Sequence, residues 1–277
     1  MKTSVILLSI LVMTGCVGRD VATVIDPFEA PPVNERLNRV IKKIIFKKKK
    51  RVMIAVIDTG LAPELMDKNW VCPTGHKDFT GGGLKDNHGH GTHISGIVDQ
   101  YAKNYIFAGN KNFRDIDNVD TEYCQIIIKY YDPKIPNLNN LKNTIASFRW
   151  AIDQKVDIIN YSGGGTSADD DEKALILEAL NKGIKVVAAA GNERSDIDKF
   201  KYYPAMYDSR IIVVGNLVNG SRTIATSSNF GKSVNTWELG TSIMSRLPGD
   251  SFGYMTGTSQ ATAIKSGKLV REMLSTK

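Results

Sequence analysis

From position 52 onward, apolar residues cluster in short, nearly continuous runs: Val52–Ile57, Ile126–Ile128, Val156–Ile159, Ile184–Ala190 and Ile211–Val214. Runs that are continuous rather than alternating predict strands buried on both faces, the habit of a parallel sheet. Between them the spacing turns helical. Ile145, Phe148 and Ile152 share one face of a helix predicted over 143–154. A second helix is predicted over 170–182. It opens on Asp170, Asp171 and Glu172, whose charge suits the positive end of a helix dipole, and it stops before Gly183. A third covers Thr258 to Leu274, while residues 99–125 and 193–204 read as long polar loops. Strands separated by helices predict an α/β fold, a parallel β-sheet with helices on both faces.

The first fifty residues follow a different pattern. After Lys2, the stretch Val5 to Met13 is apolar apart from Ser9 and too short to span a bilayer, so residues 1–15 read as a signal peptide. Met13-Thr14-Gly15-Cys16 resembles the lipobox of bacterial lipoproteins, with methionine where leucine is commonest. That resemblance implies that Cys16 becomes a fatty-acylated (palmitate-type) N-terminus anchored in a lipid bilayer. The expected location is then the cell membrane or outer membrane, facing away from the cytoplasm. An ordinary signal peptide with an incidental cysteine is the other reading. Residues 16–50 form a basic tether. Leu37, Val40, Ile41, Ile44 and Ile45 make one helical face, which runs into Lys42, Lys43, Lys47, Lys48, Lys49, Lys50 and Arg51. Contact with an anionic membrane surface, packing on the domain and a solvated spacer all fit this segment.

Composition adds bounds. A chain of 277 residues with 42% hydrophobic content can bury one core, expected over residues 51–277. The net charge of +7 is concentrated in the tether, which does not argue for a nucleic-acid partner. Of the 3 cysteines, Cys72 and Cys124 remain once Cys16 is assigned. Export would permit a disulfide between them, but two separate thiols fit equally well.

Candidate chemistry centres on Asp86-Asn87-His88-Gly89-His90-Gly91-Thr92-His93-Ile94-Ser95-Gly96, where three of the 4 histidines lie. His88, His90 and His93 resemble the HxHxDH motif of the metallo-β-lactamase family, with Thr92 in place of aspartate. No later histidine completes a ligand set, so no metal is assigned. A proton relay asks for other groups: a carboxylate to orient the imidazole and a serine in a tight turn. Asp58 ends the first apolar run, where α/β sheets place functional groups, and Ser259 opens the last predicted helix.

Val56-Ile57-Asp58-Thr59-Gly60, His88-Gly89-His90-Gly91-Thr92-His93 and Gly257-Thr258-Ser259-Gln260-Ala261-Thr262-Ala263 together resemble the aspartate, histidine and serine blocks of the subtilase (subtilisin-like serine protease) family, in the family's order. The resemblance runs from Arg51 to Leu274. It implies a subtilisin-like fold and a serine endopeptidase hydrolysing peptide bonds. Asp58 would be the orienting acid, His90 the general base and then acid, and Ser259 the nucleophile. Val187 to Asn192 resembles the strand ending in the family's oxyanion-hole asparagine, which assigns that role to Asn192. Ser162, Gly163 and Gly164 resemble the strand and turn on which an extended peptide substrate pairs. His93 would pack, His88 would sit in a loop near the cleft, and His76 reads as a surface histidine. No cofactor is implied as required; calcium supports many members of the family, but no loop for it is placed here. The chain departs from the family pattern at Ala263, where proline is usual, in its shorter C-terminal stretch, and in lacking the length of a folding propeptide before Arg51. The alternative function is an inactive binding or scaffold lipoprotein on the same fold.

Overall fold

The computed structural model describes residues 51–104, 122–218 and 220–276. The signal peptide over 1–15, Cys16 and the tether over 16–50 lie outside the described residues. The described elements, in chain order, are β1 (Val52–Asp58), β2 (Lys77–Asp78), α1 (His90–Ala102), β3 (Tyr123–Lys129), α2 (Asn140–Asp153), β4 (Ile158–Tyr161), α3 (Asp170–Asn181), β5 (Lys185–Ala189), β6 (Ile212–Leu217), β7 (Thr236–Leu239), β8 (Ile243–Leu247), β9 (Ser251–Met255) and α4 (Thr258–Ser275).

Seven strands form one sheet in the order β2-β3-β1-β4-β5-β6-β7, with every neighbouring pair parallel. Alternate residues of each strand serve opposite faces, as the strand period requires. Val52, Ile54 and Val56 pack with Ile94, Ile97 and Val98 of α1 and Ile264 and Val270 of α4. Ala55 and Ile57 pack with Phe148 and Ile152 of α2 and Leu175 and Ile176 of α3. The α/β architecture with helices on both faces is therefore present as expected. Among the described residues no helix is long and apolar enough to cross a membrane.

Strand order also locates a crevice. β1 lies between β3 and β4, and the chain leaving β1 goes to the β2–β3 side, whereas the chain leaving β4 goes to β5. Adjacent parallel strands with diverging connections leave an opening at their carboxyl ends, where α/β sheets hold ligands. Asp58 ends β1, and Ser162 directly follows β4.

Several expectations needed correction. The segment read as a polar loop over 99–125 begins inside α1, which continues to Ala102, and ends inside β3, which starts at Tyr123. The helix was hidden because its polar residues are buried: Asp99 pairs with Lys103 and accepts a hydrogen bond from the Tyr123 hydroxyl. The predicted helix over 143–154 starts earlier, at Asn140, because the Asn139 side chain caps it by accepting the Lys142 N–H. The short half-buried strand β7 and the β8–β9 hairpin carried no apolar run to betray them. His76 is not a free surface histidine. Its Nε2 donates to the Cys72 carbonyl (2.7 Å) and its Nδ1 accepts the Ile127 N–H (3.0 Å), so the ring completes the edge of β3. Burial lowers its pKa. Cys72 and Cys124 form a disulfide, resolving the alternative left open by the sequence. At Ala263, the helix α4 runs unbroken.

Candidate active site

Asp58 is buried at the end of β1, and its Oδ1 accepts both the Thr59 N–H (2.8 Å) and the His90 Nδ1–H (2.8 Å). Placing the proton on Nδ1 leaves His90 Nε2 as a bare acceptor. Burial pulls the His90 pKa down, but the Asp58 carboxylate, by charge and hydrogen bond, with Asp86 behind it, outweighs that pull and holds it above the ordinary histidine value.

His90 opens α1, whose preceding residue Gly89 adopts a left-handed φ of 93° and supplies no side-chain cap. Asp86 caps the helix instead. Its Oδ1 accepts from Thr59 Oγ1 (2.9 Å), His88 N (3.0 Å) and Gly89 N (2.8 Å), and its Oδ2 accepts from Thr92 N (2.8 Å) and Thr92 Oγ1 (2.6 Å). This carboxylate joins the β1 exit to the first turn of α1 and so fixes His90 relative to Asp58. Close backbone approach reinforces it: a Cβ on Gly91 would stand 2.3 Å from the Gly60 carbonyl oxygen. The other two histidines of the cluster point elsewhere. His93 is wholly buried and reaches the carbonyls of Ile243 (3.1 Å) and Gly253 (3.2 Å) across the β8–β9 hairpin. Burial drives its pKa down to about 4. His88 is exposed, with its ring 6.1 Å from that of His90.

The second half of the site lies on β4, β5 and α4. Ser259, in the first turn of α4, donates its hydroxyl to the Ser162 carbonyl at 3.0 Å, and Ser162 Oγ returns a bond to the Ser259 carbonyl at 3.3 Å. Asn192 follows β5 through Gly191 (φ 98°), and its Oδ1 accepts the Thr258 N–H at 2.9 Å. That bond fixes the amide orientation and leaves Nδ2 as an outward donor. The Ser259 N–H, at a helix N-terminus, is likewise unused among the described hydrogen bonds. Asn229 steadies this turn, accepting the Glu193 N–H (3.0 Å) and the Ser195 N–H (2.8 Å) while donating to the Ala190 carbonyl (2.8 Å).

The register Ile57↔Tyr161 sets the Asp58 and Ser162 ends side by side, so the two halves occupy neighbouring strand ends. Asp58 and His90 are in direct contact, and so are Ser259 and Ser162; among the described hydrogen bonds none joins Ser259 to His90. Beyond Ser162 runs a bare segment. Gly163 and Gly164 make no backbone hydrogen bond among the described residues, whereas Gly165 pairs with Tyr203 in both directions (2.9 and 2.7 Å). Tyrosines require these glycines, because a Cβ on Gly163 would lie 2.7 Å from the Tyr130 hydroxyl oxygen, and one on Gly164 would lie 2.4 Å from the Tyr202 ring.

Two contributors had no role from sequence. Asp86 stood inside the histidine block, and its position just ahead of a helix start was the available signal. Lys129 sits opposite Asp58 in the sheet register and is fully buried, with Nζ bonded to Asp132 Oδ2 (2.6 Å) and the Lys85 carbonyl (2.6 Å). A lysine inside an apolar run gave no hint of this. Among the described residues no group of three or more His, Cys, Asp or Glu side chains is placed to hold a metal ion.

Residues 49–272 match the sequence profile of the subtilase family. The chain is 34% identical over 231 residues to the major intracellular serine protease of Bacillus subtilis (strain 168), covering 80% of this chain and 68% of that protein. It is 32% identical over 217 residues to subtilisin amylosacchariticus of Bacillus subtilis subsp. amylosacchariticus, where it spans 78% of this chain and about half (54%) of the relative. The fold is similar to that of a cold adapted subtilisin-like serine proteinase, with a TM-score of 0.62 at 21% identity, over 81% of this chain and 76% of that one.

Proposed function

Because the chain belongs to the subtilase family, we propose that it is a serine endopeptidase in which Ser259 attacks the substrate carbonyl, His90 carries the proton, Asp58 orients His90 and Asn192 stabilises the oxyanion. The observation that carries this reading is the Asp58–His90 pair at 2.8 Å, set on the strand end beside that of β4, where the Ser162 carbonyl holds the Ser259 hydroxyl.

An extended peptide laid along Ser162, Gly163 and Gly164 needs backbone acceptors, and the Ser162 carbonyl is one. When a substrate N–H takes that carbonyl, the Ser259 hydroxyl loses its resting partner and turns to His90 Nε2. As Oγ bonds to the substrate carbonyl carbon, its proton passes to Nε2, and the imidazolium is stabilised by Asp58. Negative charge on the former carbonyl oxygen meets Asn192 Nδ2 and the Ser259 N–H. His90 then gives its proton to the leaving amine as the C–N bond breaks. Water, deprotonated by the same imidazole, next bonds to the acyl carbon, and the proton passes from His90 to Ser259 Oγ as the ester C–O bond breaks.

Anchoring through Cys16 outside the cytoplasm belongs to this proposal and rests on the sequence of the first sixteen residues. The test of the chemistry is labelling with a fluorophosphonate. Wild-type protein is expected to be labelled and Ser259→Ala to remain unlabelled; folded wild-type protein that resists labelling would instead favour the scaffold reading.

A further inference from the structure

Alongside the bare glycine segment lies a cavity of about 260 Å³ that the catalytic scheme leaves unused. Gly164 and Gly165 form its edge, Tyr130, Tyr161 and Tyr203 line it, and Glu172 of α3 reaches into it. Glu172 is only 4% exposed. Its Oε2 accepts the Tyr207 hydroxyl at 2.8 Å, and its backbone N–H is held by Asp169. Its second carboxylate oxygen has no hydrogen bond among the described residues, and no described lysine or arginine pairs with it. Burial, with Asp169 adding to it, raises the Glu172 pKa against the opposing pull of the Tyr207 bond. A buried carboxylate without a counter-charge is costly, and its natural complement is a cation brought from outside.

The walls fit the same ligand. Tyrosine faces attract a cation electrostatically. The α2 side sets the polar Asn140 and Thr144, whose Oγ1 lies 3.2 Å from the Tyr161 hydroxyl, beside Leu141, which suits the aliphatic stem of a long cationic side chain. An uncharged aliphatic side chain entering here would strip water from Glu172 without supplying a counter-charge, so the pocket discriminates by charge as well as by fit. Its edge is also placed for a peptide. Gly164 and Gly165 lie two and three residues beyond Ser162, so at roughly 3.3 Å per residue the pocket stands about 7–10 Å from the Ser259 end.

We infer that this cavity is a specificity pocket for a lysine or arginine side chain of the bound peptide, a few residues from the cleaved bond, with Glu172 as its counter-charge. The inference rests on the peptide-docking part of the proposed function but not on hydrolysis.

Binding of fluorescent heptapeptides to Ser259→Ala protein, read by anisotropy, tests it without turnover. Lysine is compared with norleucine, which has a similar length and no charge, at each peptide position in turn. At one position, lysine is expected to bind about tenfold more tightly. Adding Glu172→Gln should shrink that ratio to within about twofold, with near-ultraviolet circular dichroism checking that the variant is folded. Should the variant fail to fold, the lysine-to-norleucine ratio in the parent protein still decides. Equal binding at every position, no binding of any peptide, or a ratio unchanged by Glu172→Gln overturns the inference. A clear lysine preference in a protein that fluorophosphonate never labels would sink the catalytic reading and leave this one standing.

Discussion

On the β1–α1 side of the cleft, Asp86 gathers five donors from four residues, Asp58 holds His90 at 2.8 Å, and Gly91 packs onto the backbone of Gly60. On the β4–α4 side, Ser259 rests on a neighbouring carbonyl, Asn192 is tied by one side-chain oxygen, and Gly163 and Gly164 offer unpaired backbone. One half is finished before substrate arrives; the other has donors and acceptors to spare. The difference fits a division of labour in the proposed mechanism, where the imidazole that carries protons must hold its geometry through the cycle, whereas the groups that meet the peptide must exchange partners.

The comparison is tested most severely by Asp58→Asn. With the carboxylate replaced by an amide, the His90 tautomer is no longer fixed, and kcat should fall on the order of 10⁴-fold with little change in KM. A loss below tenfold, measured with a fluorogenic peptide, would mean the rigid half does not orient the base. Asn192→Ala probes the open half and should cost about 10²–10³-fold in kcat, again with KM nearly constant. If KM rises instead while kcat holds, Asn192 binds substrate rather than the oxyanion.

The smallest effect concerns pH. Because the His90 pKa is raised and only the neutral ring accepts a proton, kcat/KM should drop as pH falls through a value above 6.5. Asp86→Asn removes a charge that favours the imidazolium, so this acidic limb should move to lower pH. The same change sets an amide N–H₂ among groups that need an acceptor and should lower stability by about 1–3 kcal/mol. An acidic limb that stays put would show that Asp86 acts on His90 through position alone.

Legibility in the sequence followed the same divide between local pattern and assembled contact. β1, β3 and β5 announced themselves because both faces of the sheet are covered, and α3 because its capping and its spacing agree. α1 was partly missed, since Asp99 and Gln100 look solvent-facing but are buried in the interior. The local blocks picked out Asp58, His90, Asn192 and Ser259. What they could not convey was the resting partner of Ser259, which is a carbonyl 97 positions away. Asp86 was visible as a residue, yet its work depends on Thr59 and Thr92 being folded around it. Glu172 read as an ordinary first-turn acid, because helix-dipole logic explains it fully until the cavity beside it is seen.

The bond between Cys72 and Cys124, 52 positions apart, closes a covalent ring, and His90 lies within it. A backbone nick anywhere inside that ring opens a loop but releases no fragment. For a chain that meets proteases, its own copies included, a clipped molecule therefore stays one molecule until a reductant parts it, and where thiols are scarce a single clip inside the ring leaves the two pieces covalently joined.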